Sequence, residues 1–385
     1  MRDALREEIR KAFEDELEPL QPLVDLPRDI IRAARVQRDA RSRFQAQWVL
    51  GTAALVAFVL VLGTVFVALR ANRQASTVAT PSPSAGISAG AGWTAVFPTV
   101  NPPARSNAAM AYDRARQEVV LFGSQTQNDT WIWDGKTWVE AHPARSPSPR
   151  TKTVMAYDAA RKEVVLFGGS QPRVLLGDTW TWDGKTWTKR EPATSPPARD
   201  GAAMTYDAAR AEIVLYGGHT VRGPGGADTW VWDGTRWQQR SPSVSPGHLE
   251  TSAMAYDAAT RNVVLFGGLG SGGPENDTWT WDGSSWTRHD PAHRPSTRYG
   301  AAVAYDSDAS KILLFGGTHE NAVLNDSWTW DGTDWIEQLN HVSTSARIGP
   351  AMTYDVGHHR VVLFGGLTVD AGRTTELADT WTWPS

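Results

Sequence analysis

One unit occurs six times in this chain and constrains its fold more than any other feature. In the fourth copy it reads Ala255-Tyr256-Asp257, then Val263 to Gly268, then Asp277 to Trp286. The tyrosines that mark the copies follow one another at intervals of 45, 49, 50, 49 and 49 residues; they are Tyr112, Tyr157, Tyr206, Tyr256, Tyr305 and Tyr354. A fixed period in this range is typical of propellers and solenoids, whose repeats bury their faces against neighbouring repeats.

Each copy contains four short segments with strand character. In the fourth copy the first is 253–256, and the second, 263–266, is a continuous apolar run that indicates a strand covered on both faces. Gly267-Gly268 is predicted to end that strand. The third, 278–281, alternates with period two, and the fourth begins near Trp286 after a tight turn. Four antiparallel strands in about 49 residues predict one blade of a β-propeller.

The two ends of the repeat region complement each other. The sixth copy stops after Trp381-Thr382-Trp383 and lacks a fourth strand, whereas Trp93 lies 19 residues before Tyr112 with no copy in front of it. Every other fourth-strand tryptophan lies the same 19 residues before the next tyrosine. We therefore expect residues 93–97 to supply the outer strand of the last blade, which closes a ring of six blades without an open edge.

These motifs resemble the kelch repeat family in the Gly-Gly pair after an apolar strand, the tyrosine before that strand and the paired tryptophans after it. The resemblance covers residues 93–385 and implies a propeller similar to the central domain of galactose oxidase. Ser124 stands for the second glycine in the first copy, and Pro384 stands for the turn aspartate in the sixth. The predicted fold class is all-β: a six-bladed kelch-type β-propeller, preceded by a cytosolic helical segment and one transmembrane helix.

The N-terminal residues have a different character. Residues 1–47 are predicted to be a cytosolic helical segment, with apolar residues every four positions near its start and six arginines between 28 and 47. The uncharged run 48–69 has 22 residues, or about 33 Å as a helix, so 48–70 is predicted to span a membrane. The arginine excess before it places the N-terminus in the cytoplasm. Residues 71–92, rich in Pro, Ser, Ala and Gly, indicate a flexible linker.

Composition argues against several functions. The formal net charge of −4 provides no basic field, so no nucleic-acid partner is expected. The chain has no cysteine, and the copper-radical cofactor of galactose oxidase needs a cysteine crosslinked to a tyrosine, so that cofactor cannot form. Sialidases also use six-bladed propellers, but no blade-specific pair of carboxylates stands out here. No cofactor, metal site or catalytic residue is predicted, and the chain is not expected to be an enzyme.

Candidate ligand-binding residues lie between the second and third strands, where the length of the repeat varies. They are Arg173 in the second copy, His219 and Arg222 in the third, His319 and Glu320 in the fifth, and Asp370 and Arg373 in the sixth. A further candidate set is the arginine seven residues before the tyrosine in five copies: Arg105, Arg150, Arg199, Arg298 and Arg347. Such a ring at the channel mouth would bind carboxylate or phosphate. Alternatively, a residue repeated in nearly every blade ties blade to blade, for example through the aspartate of Asp-Thr-Trp.

The sequence thus predicts a binding or recognition module, anchored in the cell membrane by a single pass, with a cytoplasmic N-terminus and an extracytoplasmic propeller. Its expected partners are the membrane, a protein or glycan ligand at the propeller face, and a cytosolic partner of residues 1–47. Two alternatives stay open. One is a carbohydrate-active enzyme on a propeller scaffold, and the other is a transmembrane signalling regulator with an extracytoplasmic sensor.

Overall fold

The computed structural model describes residues 92–384, apart from 222–225, 321, 340–343 and 371. The predicted cytosolic segment (1–47), the predicted transmembrane helix (48–70) and the linker up to residue 91 lie outside the described residues, as does Arg222. Within the described ranges no helix is long and apolar enough to cross a membrane.

Six four-stranded antiparallel sheets form a β-propeller, which confirms the architecture predicted from the repeats. We number the blades by the copies of the repeat and the strands of each blade from the first, nearest the axis, to the fourth, at the rim. The strands are Ala109–Asp113, Glu118–Phe122, Thr130–Trp133 and Trp138–Ala141 in blade one; Val154–Asp158, Glu163–Phe167, Thr179–Trp182 and Trp187–Arg190 in blade two; Ala203–Asp207, Glu212–Tyr216, Thr229–Trp232 and Trp237–Arg240 in blade three; Ala253–Asp257, Asn262–Gly270, Gly273–Trp281 and Trp286–His289 in blade four; Ala302–Asp306, Lys311–Phe315, Ser327–Trp330 and Trp335–Gln338 in blade five; and Ala351–Asp355, Arg360–Phe364, Thr380–Pro384 and Thr94–Val96 in blade six.

The two ends of the repeat region meet in blade six. Thr94–Val96 pairs antiparallel with Thr380–Pro384, with Ala95 opposite Trp381. The strand from the start of the repeat region is therefore the fourth strand of the last blade, the position that the spacing of Trp93 predicts. Because this strand and the rest of its blade come from opposite ends of the described chain, the ring is closed by hydrogen bonds between distant segments.

Short two-stranded pairs extend three loops between second and third strands: Ser170–Gln171 with Val174–Leu175, Thr318–His319 with Ala322–Val323, and Leu367–Asp370 with Arg373–Glu376. In blade three the loop strand His219–Thr220 pairs instead with Arg199–Asp200, in the connection from blade two. In blade four the two long strands themselves extend into this region. The prediction that Gly267-Gly268 ends the second strand is wrong there, because the strand continues to Gly270 after a register shift between Phe266 and Gly268. A bulge at glycine keeps the strand paired while bending it.

The core lies between neighbouring blades rather than inside any one of them. The cluster between blades one and two joins Phe122 of the former to Leu166 and Trp187 of the latter. Equivalent clusters of buried Val, Leu, Phe and Trp fill the other junctions. Each continuous apolar second strand is buried on both faces for this reason, as its composition predicts.

A cyclic set of hydrogen bonds joins the blades near the rim. The indole of each fourth-strand tryptophan donates to a Ser or Thr hydroxyl in the third strand of the preceding blade, over 2.8 to 3.1 Å. The pairs are Trp93 with Ser327, Trp138 with Thr380, Trp187 with Thr130, Trp237 with Thr179, Trp286 with Thr229, and Trp335 with Thr278. Each buried donor thus meets a buried acceptor, so this set of repeated tryptophans holds the blades together.

Candidate functional site

The two ends of the propeller differ. We call one end the hairpin face; it carries the loops between second and third strands together with the connections between blades. The opposite end, the turn face, carries the turns between first and second strands and between third and fourth strands. Arg199–Asp200, in a blade connection, pairs with His219–Thr220, in a second-to-third loop, and this pairing places both kinds of segment on the same face.

The five repeated arginines lie on the hairpin face but are buried. Arg150 donates through both terminal nitrogens to Asp178, at 2.6 and 3.0 Å, and through Nε to the Ser148 carbonyl at 3.0 Å. Its remaining N–H groups bond the Gly168 carbonyl and the Ser148 hydroxyl. The same bidentate pairing joins Arg105 to Asp129, Arg199 to Asp228, Arg298 to Asp326, and Arg347 to Asp379. All five N–H groups of Arg150 are therefore bonded within the protein.

These ion pairs lie within single blades, which differs from the predicted tie between blades. Arg150 precedes the first strand of blade two, and Asp178 precedes its third strand. The main chain of the arginine makes the inter-blade contact instead. For example, the Arg199 carbonyl accepts from the Gly169 N–H of blade two at 2.9 Å. A Cβ on Gly168 would lie 2.6 Å from that carbonyl, so the Gly-Gly pair is needed for the close approach of the next blade.

The arginines also fix the charge state of their aspartate partners. Burial alone would raise the pKa of Asp178, but the hydrogen bonds and charge of Arg150, with the Trp180 indole, outweigh burial and hold that pKa below its ordinary value. The pKa values of Asp129, Asp228, Asp326 and Asp379 are lowered in the same way. Carboxylates that are ionised and doubly bonded in this manner support the structure and are poorly suited to act as general acids.

Blade four breaks this pattern. Leu249 replaces the arginine and is buried in a cluster with Tyr216 and Trp286. Asp277, the aspartate of this blade, instead pairs with Arg288 on the fourth strand at 2.6 Å, and the Arg288 side chain is 56% exposed. Blade four therefore has an exposed arginine in its ion pair, whereas the paired arginines of the other blades are buried.

Residues specific to this junction form a polar cluster that sequence reasoning missed. The Tyr216 hydroxyl contacts the Ser245 hydroxyl at 2.9 Å, and His248 Nε2 lies 3.3 Å from a Glu250 carboxylate oxygen. Burial is the main cause that raises the pKa of Tyr216, so the phenol is neutral. The sequence does contain a signal, because Tyr216 stands where the other five blades have phenylalanine.

The predicted hairpin residues within the described ranges all lie on the hairpin face. Arg173 and Glu320 occupy exposed turns with positive φ, of 68° and 50°. The His219 side chain is 53% exposed, with Nδ1 3.6 Å from Asp200, whereas His319 is half-buried and bonded to Thr297 at 2.7 Å. Asp370 and Arg373 are exposed and flank the tip of the blade-six hairpin.

The structure does not bring these hairpin residues together into one cluster. The contacts of His219 and His319 stay within their own blades. In the part of the chain that the structure describes, no group of three or more His, Asp or Glu side chains is arranged to hold a metal ion. A ligand that contacts several hairpins would therefore have to extend across the face.

A ring of main-chain hydrogen bonds surrounds the axis on the hairpin face, and we call it the collar. It consists of Asn107, Lys152, Gly201, Thr251, Gly300 and Gly349. The N–H of each member donates to the carbonyl of the member in the preceding blade, over 2.7 to 3.0 Å, and Asn107 closes the ring by donating to Gly349. All six have φ between 51° and 66°. Left-handed backbone costs about 1 to 2 kcal/mol for a residue with a Cβ, so Lys152 and Thr251 store strain in the collar.

A cavity on the axis belongs to the other end. It has a volume of about 390 Å³ and is lined by the first strands of all six blades, which contribute six tyrosines together with methionine, alanine, threonine and valine. Arg114 and other residues of the first-to-second turns lie beside it. The tyrosine hydroxyls bond the neighbouring blade: Tyr157 accepts from the Ala115 N–H at 3.0 Å, and Tyr112 accepts from the Gly357 N–H at 2.9 Å. Burial is the largest cause that raises the pKa of both phenols. These tyrosines therefore present neutral rings and bonded hydroxyls to the cavity.

Comparisons with known proteins add no family to this description. No protein-family model matches the chain, and no curated protein matches it.

Proposed function

We propose that this protein is a membrane-anchored, extracytoplasmic recognition protein of the kelch type, which binds a protein or a glycan through the hairpin face of its propeller. The observation that carries the proposal is a difference between repeated polar side chains and blade-specific ones. Those that repeat in most blades bond to the protein itself, as the Arg150–Asp178 pair and the Trp187–Thr130 bond illustrate. Blade-specific side chains on the hairpin face, such as Arg173 and Arg373, are instead exposed.

The exposed hairpin side chains suit recognition of an extended surface. Arg173, Asp370 and Arg373 are exposed on hairpins of blades two and six, and His219 is half-exposed on blade three. Side chains of both charge signs on a rigid ring favour specific orientation of a ligand through complementary charges. The collar supports this face, because it fixes the blade connections, and these connections pair with the second-to-third segments of blades two to six.

The membrane anchor in the proposal rests on the sequence. The 22 uncharged residues 48–69 are long enough to span a bilayer, and the arginine excess before them favours a cytoplasmic N-terminus. Protease added to intact cells that express a chain tagged at both ends tests this arrangement. The proposal expects loss of a C-terminal tag and protection of an N-terminal tag, and protection of both would contradict it.

Binding is tested with the full chain in detergent micelles, applied to an array of glycans and peptidoglycan fragments and, in parallel, to a crosslinked extracytoplasmic proteome. The hairpin variant carries Arg173→Ala, His219→Ala and Arg373→Ala. The control carries Lys136→Ala and Lys185→Ala, at exposed positions of third-to-fourth turns on the opposite face. We expect the hairpin variant to lose at least tenfold in affinity and the control to keep it. Loss only in the control would contradict the proposed face, and release of sugar from a bound glycan would reveal an enzyme.

A further inference from the structure

Five of the six methionines in the chain occupy one position of the repeat. They are Met110, Met155, Met204, Met254 and Met352, each two residues before the tyrosine of its blade. Each pairs with a leucine in the second strand at the same register, as Met204 does with Leu215. Equal register places the five methionine backbones at the same position along their first strands. Val303 holds the sixth position.

The methionines mark a partition within the channel. All five border the cavity of about 390 Å³ that is associated with the turn face, and all five also border a smaller axial cavity of about 160 Å³ towards the hairpin face. Each is only 7 to 8% exposed. Five side chains that border both cavities with nearly equal exposure form a ring around the axis, at the boundary between the cavities.

The methionine ring offers thioether sulfurs, which are soft metal ligands. The described lining of the larger cavity consists of Met, Ala, Tyr, Thr, Val and Ser with a single charged side chain, Arg114, and it contains no carboxylate or imidazole. Oxygen-seeking cations such as Ca²⁺ and Mg²⁺ therefore find no ligand set here. Thioethers are soft ligands that select Cu(I), and a monovalent ion also gains from nearby aromatic faces.

We propose that the methionine ring is a binding site for a soft monovalent cation, Cu(I), reached from the turn face past the six tyrosines. Three or four of the five thioethers would hold the ion. Sequence patterns for metal sites are built on His, Cys, Asp and Glu, so they do not detect a site made of methionines. The site goes beyond the proposed recognition function, because it uses the axis of the propeller and none of the hairpin side chains.

Packing is the competing account of the ring, since methionine fills irregular gaps in cores. Leucine fills nearly the same volume but has no sulfur, so Met→Leu substitutions separate the two accounts. The test uses the full chain in detergent, under ascorbate, with Cu(I) offered in competition with a chromophoric Cu(I) chelator. The variants are Met155→Leu/Met204→Leu/Met254→Leu and, as a matched control that leaves every sulfur in place, Val303→Leu.

We expect the wild-type chain to take one Cu(I) from the chelator, the control to do the same, and the triple variant to bind at least 100-fold more weakly with an unchanged thermal midpoint before metal is added. X-ray absorption of the loaded chain should show sulfur neighbours around copper. The proposal is overturned if the wild-type chain takes no Cu(I), if the triple variant binds equally well, or if nitrogen and oxygen dominate the copper shell. If the triple variant fails to fold, the single variant Met204→Leu replaces it in the chelator competition. X-ray absorption of the loaded wild-type chain then decides whether sulfur surrounds the copper.

Discussion

Tyr216 and Leu249 depart from the repeat together and compensate for each other at the junction of blades three and four. The Tyr216 hydroxyl donates to the Gly247 carbonyl at 2.5 Å. In the other blades the corresponding carbonyl, two residues before the arginine, accepts from Nε of that arginine, as Ser148 does from Arg150. Leu249 removes that donor and Tyr216 supplies another, so a main-chain acceptor that would otherwise lose its protein partner stays bonded.

A double-mutant cycle tests this compensation. Tyr216→Phe should lower the free energy of unfolding by about 1 kcal/mol, because the Gly247 carbonyl loses its donor. Leu249→Arg should cost about 2 kcal/mol alone, since the new guanidinium has to be buried while Tyr216 occupies its acceptor. In the double variant the arginine can take the carbonyl, so the combined cost should fall short of the sum by about 1 kcal/mol. Additive costs in tryptophan-monitored unfolding would show that the two residues are independent.

The bond between Trp93 and Ser327 predicts a local effect on stability. Ser327→Ala leaves the buried Trp93 indole N–H without this acceptor and should lower the free energy of unfolding by about 1 to 3 kcal/mol. Thr188→Ala, at an exposed position of a fourth strand, is the control and should change it by less than about 0.5 kcal/mol. Equal effects of the two substitutions on the thermal unfolding midpoint would show that the Trp93–Ser327 hydrogen bond adds no specific stability.

The lowered pKa of Asp178 predicts how stability depends on pH. A carboxyl with a pKa lowered by folding adds stability above its ordinary pKa of 3.8, and this contribution is lost as the pH falls through the lower folded-state value. Arg150→Met removes the partner and should cost about 3 kcal/mol at pH 7. The variant should also lose less stability than the wild type between pH 4 and pH 2. Parallel pH profiles of the two unfolding midpoints would contradict the assigned role of Arg150.

The Asp-Gly turns explain another part of the repeat. Gly184 has φ +92°, and a Cβ there would collide with the Arg116 side chain of blade one. Gly184→Ala should therefore destabilise the propeller by about 1 to 3 kcal/mol, mainly through backbone strain, because the flexible Arg116 side chain can shift away from the new Cβ. Gly272→Ala is the matched control, because nothing lies within 4 Å of its added Cβ. A larger loss at Gly272 than at Gly184 in thermal unfolding would refute this explanation.

The sequence predicts the blades well because their determinants are local and repeated. The period of the tyrosines and the distance from Trp93 to Tyr112 are enough to place the strands and the closure of the ring. The proposed recognition residues, such as His219 and Arg373, can be placed on a face by the same pattern. Their neighbours cannot, because hairpin conformation depends on contacts with blade connections such as Asp200.

Other features depend on contacts between blades that the pattern does not encode. The collar holds Lys152 and Thr251 in the same left-handed conformation as three glycines, so residue type alone does not reveal it. The sequence predicts the aspartate of Asp-Thr-Trp as a partner of Arg150, but repetition does not show that Arg150 and Asp178 belong to the same blade. The methionine ring becomes apparent only when the six first strands are arranged around one axis.

Hydrogen exchange of the full chain, followed by mass spectrometry, tests most directly the claim that the N-terminal strand closes the ring. Thr94–Val96 should be protected to the same degree as the equivalent outer strand Trp335–Gln338, because both pair with a third strand over the same kind of register. In Trp93→Ala, protection should fall at Thr94–Val96 and Thr380–Pro384 but not at Trp237–Arg240. Exchange of Thr94–Val96 at the rate of an unpaired segment in the wild-type chain would contradict the closed six-bladed ring.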